Sequence, residues 1–506
     1  MRHTCVLPLV LLGLAQPSTA QSPPDSSFIA FDVYVRSELT RLRVPGAAIA
    51  VVRGDSLVHG MLFGRADDSG RAITLETPFM IGSISKSMTA LAALQLVDAG
   101  RVALDSPVTQ YLPWFHPTVG AGRAAEVTIR QLLNQNSGIP SYTGRMDWAY
   151  PDTTDAALER HARRLATVKL VRSPGTAFEY ADANYVLLGE LIQEVTHTSY
   201  ERYMEEHVFG PLAMNRSFTS QPAAERNGMA RGFELWFGRP RASPEMPFIR
   251  SNLPAGQLIA SVADVARYLS VHLQDGRYAG GTLVSPAAMD ELHRPVSRLT
   301  EHWSYAMGWI SGPVGGRTVL WHNGLVPGFY AFMALVPERH EGIVMLMNVG
   351  NVLDLARLNR AAFGALTQLV GVEAATDVSF CAMCPVSPQA SERTVVALRP
   401  IAVVLVVLQC CWIAWAVSQR RWRSRKGNIR SVSFALLWAG SVLFAFPLVA
   451  QTPPSVMRDL MPDLAALIYA SVSIGLGWAF VRLVVRSDRL GRLASVPRSS
   501  SSRSPS

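Results

Sequence analysis

Ser83 and Lys86 lie three residues apart in FMIGSISKSM (79–88), where an apolar run and a glycine lead into a helix. Side chains at i and i+3 of a helix are neighbours, so this spacing puts an amine beside a hydroxyl. A serine hydroxyl attacks poorly at neutral pH until an adjacent base takes its proton. The bland reading of the same residues is a helix cap: serine is a favoured N-cap, and a lysine soon after it is an ordinary solvated charge. Yet the first turn faces the positive end of the helix dipole, an unfavourable place for a spectator cation. Lysine is also scarce, with Lys86, Lys169 and Lys426 the only three among 47 basic residues. Arginine cannot serve as a neutral base, whereas a desolvated lysine can. On these residues alone, nucleophile and cap stay equally open.

The elements that must hold this pair are legible in outline. GAAIAVVRGDSLVHGMLF (46–63) is two strand-like runs around Arg53-Gly54-Asp55, a hairpin signal. From Ser83, apolar residues follow mixed helical spacing until Gly100 supplies a stop. Val127 to about Leu212 is mostly helix-like, and Arg317–Leu320, Phe329–Val336 and Gly342–Asn348 are short strands between Gly and Pro turns. Strands at both ends with helices between imply an antiparallel sheet shared by the two ends of a domain, with a helical region inserted.

Hydropathy divides the 506 residues. Residues 1–20 read as a secretory signal: Arg2, an apolar stretch from Val6 to Ala15, and small residues Ser18 and Ala20. A domain over 25–370 follows, then a linker over 371–394. Within 395–485 stand three apolar runs, Pro400–Val417, Val432–Ala450 and Leu464–Val481. Each suits a bilayer core of about 30 Å once flanking residues adapt at the interface. Arginines crowd the connection between the first two runs and the segment after the third, while the middle connection has only Arg458. By the positive-inside rule both Arg-rich segments are cytoplasmic. The expectation is an exported N-terminal domain, three transmembrane helices in the bacterial cytoplasmic membrane, and a disordered cytoplasmic tail over 486–506.

The net charge of +9 belongs to that topology. Residues 392–506 hold 15 Lys and Arg against 4 Asp and Glu, so the rest of the chain is slightly acidic. This is no nucleic-acid footprint. Cys381 and Cys384 form a CxxC in the linker, on the side of the membrane where a local disulfide is favoured over a redox or metal site.

Further stretches join the Ser-x-x-Lys. PGTAFEYADANYVLLGELI (174–192) places Tyr180 two residues before Asp182, ahead of a helix. WHNGLVPGFYAFMALVP (321–337) places His322 and Gly324 between strands. TIRQLLNQNSGIPSY (128–142) and NLPAGQLIASVADVARYL (252–269) lie between them in the chain. In order and spacing, residues 28–368 resemble the serine β-lactamase-related family of class C β-lactamases, D,D-carboxypeptidases, family VIII esterases and D-aminopeptidases.

That resemblance implies an α/β (α+β) fold, an antiparallel sheet flanked by helices with an inserted all-helical region. It implies an acyl-serine enzyme with Ser83 as nucleophile, Lys86 as base or proton relay, and Tyr180 shuttling a proton to the leaving group as a phenolate or through Lys86. His322 and Gly324 match a motif that more often reads KTG, and the backbone N–H groups of Ser83 and Leu325 would form the oxyanion hole. Ser85 and Ser87 read as helix surface or packing. No metal or other cofactor is required. The family's YxN reads YAD here: Asp182 would favour a charged Lys86, shift base duty toward Tyr180, and favour a substrate bearing a nearby amine. With the three spans, the chain resembles membrane-anchored peptidases that mature N-acyl-D-amino-acid intermediates. The implied partners are the membrane and a small peptide, amide or ester substrate. A peptidase or amidase on D-amino-acid or peptidoglycan-related peptides ranks ahead of an esterase or β-lactamase, and a non-catalytic sensor of peptidoglycan fragments is the reading of a different class. Oligomeric state is left open.

Overall fold

The computed structural model describes residues 28–144, 152–244, 248–371, 388–418, 433, 437–438 and 461–494. The expected signal and the CxxC lie outside them, as does most of the second apolar run.

Eight strands form the main sheet: β1 (Gly46–Arg53), β2 (Ser56–Gly64), β3 (Ser297–Arg298), β4 (Ser304–Tyr305), β5 (Ile310–Val314), β6 (Arg317–Val326), β7 (Phe329–Val336) and β8 (Glu341–Met347). Their order is β3-β4-β5-β6-β7-β8-β1-β2, and every neighbouring pair is antiparallel. β1 lies between its hairpin partner β2 and β8, with Ala50 opposite Val344, so the beginning and end of the domain close one sheet. Successive side chains of a strand face opposite ways. In β1, Ala47, Ile49 and Val51 enter one apolar core while Ala48, Ala50 and Val52 enter the other. Burial on both faces explains why its sequence is continuously apolar rather than alternating.

On one face pack α1 (Ile29–Arg41) and α5 (Leu355–Val370). They approach so closely that a Cβ on Gly364 would meet the Tyr34 hydroxyl. The other face carries α2 (Ser85–Asp98), α3 (Asp182–Thr196), α4 (Val262–Leu273) and the inserted, mostly helical region. α2 is buried on all sides: every residue from Ser85 to Leu94 is enclosed. Its mixed apolar spacing reflects that position, since a helix with no solvent face needs no stripe. Ser85 and Ser87 therefore pack inside. Ser85 donates to the Gly82 carbonyl at 2.7 Å and accepts from the Leu258 N–H, and Ser87 shares a 3.0 Å hydrogen bond with the Tyr268 hydroxyl.

Beyond the domain run α6 (Pro388–Ser418), which begins inside the segment read as linker, and α7 (Pro462–Ala494), which continues past the expected tail boundary at 485. Among the described residues one stretch, Pro462–Val481 with mean hydropathy 1.9, is long and apolar enough to cross a membrane; Pro400–Trp415 is a shorter apolar helix. The two helices meet where Gln409 and Ser471 exchange hydrogen bonds, and the Trp438 indole N–H also reaches the Ser471 hydroxyl.

Under α2, buried His272 meets the partly buried His293. His272 Nδ1 and His293 Nε2 are 2.8 Å apart, with the Trp309 ring against both. Burial holds His293 down to about 4, and burial together with His293 holds His272 well below 6.5. Between pH 6.5 and about 4 the unfolded chain binds protons that the folded one does not, so stability falls as pH falls. His293 alone contributes about 3 kcal/mol over that window. Glu190, raised to about 7 by burial, acts with the opposite sign, as does Asp264, while buried His322, held down to about 3, adds to the fall. We expect the thermal midpoint to drop by several degrees from pH 7 to pH 4.5, and replacement of both histidines by Phe to flatten that drop in a calorimetric pH series.

Candidate active site

Ser83 is delivered by a short ribbon in which Pro78–Met80 pairs with Ile259–Ser261. The ribbon leads into Gly82, whose φ of +54° suits glycine, and into a 3-10 turn, Gly82–Ile84, ahead of α2. Ser83 is thus not the N-cap of α2: that position is Ile84, and it makes no side-chain cap. The Ser83 hydroxyl instead accepts from Lys86 Nζ at 3.1 Å and lies 2.8 Å from the Tyr180 hydroxyl.

Lys86 sits in the first turn of α2 with no exposed surface. Besides Ser83 it donates to Asp182 Oδ1 at 2.7 Å and to the Ala255 carbonyl at 2.6 Å, so its three donors have three oxygens. The Tyr180 ring lies 4.8 Å from Nζ. Asp182, the first residue of α3, keeps 22% of its side chain exposed and joins this buried amine to solvent.

Tyr180 precedes α3 in an extended loop held by the NQNSG segment. Gln135 accepts from the Ala181 N–H at 2.9 Å, and Ser137 donates to Asn184 at 2.6 Å. Burial, reinforced by the Asp182 charge, raises the Tyr180 hydroxyl well above 10. The carboxylate expected to shift base duty onto Tyr180 disfavours the phenolate too, so Tyr180 is a neutral hydroxyl that can pass a proton only in concert with receiving one.

The third wall is β6. Its pairing with β5 ends at Trp321, opposite Ile310, leaving His322 to Val326 without a β5 partner along that edge. Two glycines let this edge touch the Ser83 turn: a Cβ on Gly324 would lie 1.9 Å from the Ile81 carbonyl oxygen, and one on Gly82 would lie 2.6 Å from the Leu325 nitrogen. The Leu325 N–H is thereby brought beside the residue preceding Ser83. Gly324→Ala must push β6 off the turn. We expect about 1–3 kcal/mol of lost stability and a loss in kcat of about 10²-fold, the scale of one misplaced oxyanion donor. Ester hydrolysis and denaturant titration of the same preparation check both.

His322 is buried beside Tyr180, with ring centroids 6.4 Å apart. Its Nδ1 lies 2.6 Å from the Asn323 carbonyl oxygen, while its Nε2 is buried without a hydrogen-bond partner. Burial, with Lys86 nearby, lowers it to about 3, so it is a neutral imidazole at physiological pH. All seven residues marked in the sequence, Ser83, Lys86, Tyr180, Asp182, His322, Gly324 and Leu325, converge on this one place.

Three contributors carried no sequence signal of their own. The Ala255 carbonyl on Lys86 is main chain. Tyr185 and Tyr305 close the apolar wall, Tyr185 with its ring 5.8 Å from Lys86 Nζ and Tyr305 edge-on to Tyr180. The arrangement presents a hydroxyl, an amine and a phenol in mutual reach, with backbone N–H groups beside them and water largely excluded, as acyl transfer to serine requires.

Comparison with known proteins agrees. The family model described as beta-lactamase matches residues 31–366. Penicillin-binding protein 4 of Amycolatopsis lactamdurans is 33% identical over 326 residues, covering 62% of this chain and 82% of that protein. Protein flp of Staphylococcus aureus (strain MW2) is 29% identical over 326 residues, covering 63% of each chain, so the match spans less than two thirds of that relative. Among solved structures, the octameric penicillin-binding protein homologue from Pyrococcus abyssi superposes with a TM-score of 0.60 at 27% identity, covering 69% of this chain and 79% of that one. EstCE1, a hydrolase with promiscuous acyltransferase activity, shares the fold with a TM-score of 0.57 at 19% identity, covering 64% of this chain and 94% of that one. The chain belongs to the β-lactamase family of serine hydrolases.

Proposed function

We propose that this protein is a membrane-anchored, exported peptidase or amidase that works through an acyl-Ser83 intermediate on small D-amino-acid-containing or peptidoglycan-related peptides. The observation that carries the reading is the position of the Ser83 hydroxyl between Lys86 Nζ and the Tyr180 hydroxyl. Ser83 Oγ attacks the scissile carbonyl while its proton passes to Tyr180, which gives its own proton to the departing nitrogen. The Lys86 ammonium, 4.8 Å from the Tyr180 ring, stabilises negative charge developing on that oxygen. The Ser83 and Leu325 N–H groups receive the oxyanion. Water then releases the acid by the reverse relay.

An amine leaving group departs only if it is protonated, and a buried tyrosine hydrogen-bonded to the nucleophile is placed to do that. This favours amide over ester cleavage. The partly exposed Asp182 carboxylate suits a substrate bearing an amine near the scissile bond.

Anchoring is supported by the apolar helix Pro462–Val481, by its contact with α6 and Trp438, and by the arginines that flank the apolar runs. The apolar runs hold few charges, which favours an anchor over a transport path. The test is mass spectrometry of the full-length protein after incubation with a panel of D-amino-acid peptides and simple esters. A mass increment on the Ser83 peptide from the peptides supports the proposal; an increment from esters alone makes the protein an esterase. Tight peptide binding without any adduct makes it a sensor.

A further inference from the structure

Beside the Ser83 turn lies a cavity of about 380 Å³ whose lining includes Met80, Met229, Gln257, Val326, Pro327 and Phe329. Three of these flank the two backbone donors. Met80 leads into Ile81-Gly82-Ser83, Val326 follows Leu325, and Gln257 follows Gly256, where a Cβ would lie 3.8 Å from the Gly82 carbonyl carbon. Ser83 and Leu325 adjoin this lining through those neighbours without being part of it, and Tyr180, Lys86 and Asp182 are not part of it either. A substrate with its carbonyl oxygen at the Ser83 and Leu325 N–H groups and its leaving nitrogen at Tyr180 can direct its acyl substituent past Met80 and Val326 toward this cavity.

About half of the lining is apolar, and Gln257 within it is a buried carboxamide, 2% exposed, whose Nε2 makes no hydrogen bond. Native structures leave few buried amide donors unpaired, and those that exist call for an explanation. Asp67, Glu225 and Arg231 give the remainder of the lining a net negative charge, so a neutral acceptor suits the cavity better than a carboxylate. We propose that Gln257 sets acyl-side specificity by donating Nε2–H to the carbonyl of a second amide in the substrate. The inference rests on the acyl-Ser83 reading. The favoured substrate class is then an acyl group that itself carries an amide, such as an N-acylated amino acid, over a plain aliphatic acyl group.

The experiment compares acylation of the full-length protein by p-nitrophenyl N-acetylalaninate and by p-nitrophenyl 2-methylpentanoate, in which methylenes replace the amide. Intrinsic reactivity differences cancel when the ratio of the two rates is compared between variants. Gln257→Leu keeps the bulk and removes the donor, and Gln257→Glu removes the donor but keeps a polar group. In both, the ratio is expected to fall about tenfold or more, because a site built to pair with a polar group discriminates strongly against its absence. Reaction of Ser83 with a small fluorophosphonate, which has no such amide, is expected to match wild type and doubles as the test of folding. If Gln257→Leu is not labelled, Gln257→Glu carries the comparison. An unchanged ratio in a variant that labels normally overturns the role of Gln257 and leaves the acyl-serine reading standing. A wild-type protein that neither esters nor fluorophosphonate label at Ser83 overturns both.

Discussion

Ser83→Ala is expected to lower hydrolysis by about 10⁴-fold or more, the scale on which loss of a nucleophile acts in serine enzymes, and to abolish fluorophosphonate labelling. It is expected to leave the fold intact. The hydroxyl caps no helix, and it hydrogen-bonds to two other members of the site, Lys86 and Tyr180. Lys86 keeps the Asp182 carboxylate and the Ala255 carbonyl when it loses Ser83. The change in unfolding free energy should stay within about 1 kcal/mol, below the range of core disruptions. The check pairs labelling with a denaturant titration on the same protein. Label persisting in the variant would relocate the nucleophile, and neighbouring Ser85 and Ser87 are poor alternatives because both are buried and hydrogen-bonded inside α2's surroundings.

Lys86→Met should cost nearly as much activity, about 10³-fold or more, since the hydrogen bond to Ser83 and the charge that stabilises the Tyr180 oxygen are removed together. Stability is expected to fall, but by less than the several kcal/mol that breaking a fully buried ion pair costs. What remains is the Asp182 carboxylate, which reaches solvent and so is not stranded. Adding Asp182→Asn to Lys86→Met should recover any lost stability without recovering activity. Lys86→Arg should fail as a replacement: a planar guanidinium does not fit three oxygens arranged around a single nitrogen. Steady-state hydrolysis and unfolding curves for the three variants separate these effects. Activity restored by Arg, or an intact rate in Lys86→Met, would remove Lys86 from the chemistry.

What the sequence revealed follows from how local each signal is. Ser83 and Lys86 sit on one helical turn, so three residues of spacing were enough to bring them together. Tyr180 with Asp182, and His322 with Gly324, are each short patterns on a single element, and only their order along the chain joined them to Ser83. The hairpin at 46–63 and the strands at 329–336 and 342–348 were legible because turns and apolar runs bracket them. Strand β6 was read only as far as Leu320, because His322-Asn323-Gly324 resembles a turn by composition yet continues as strand to Val326. The 3-10 turn under Ser83 was not legible, since Gly82 earns its positive φ from the distant contact with Leu325. The Ala255 carbonyl has no side-chain identity to notice, and Gln257 looks like any other glutamine until a cavity is seen beside it. The carboxylate at 182 was visible, but its effect on Tyr180 depended on how deeply that ring is buried.

α2, enclosed on every side, ties catalysis to the most protected part of the molecule. Backbone amides in such a helix exchange with solvent only when the whole domain opens, whereas loops and ends open locally. The reacting serine therefore cannot be repositioned by loosening its own helix. Adaptation to different substrates has to come from the ribbon, the β6 edge and the cavity walls, and a denatured population has no route to retain activity through a surviving fragment. The catalytic pair is a fixed anvil, and the variable tooling of this enzyme lies around it.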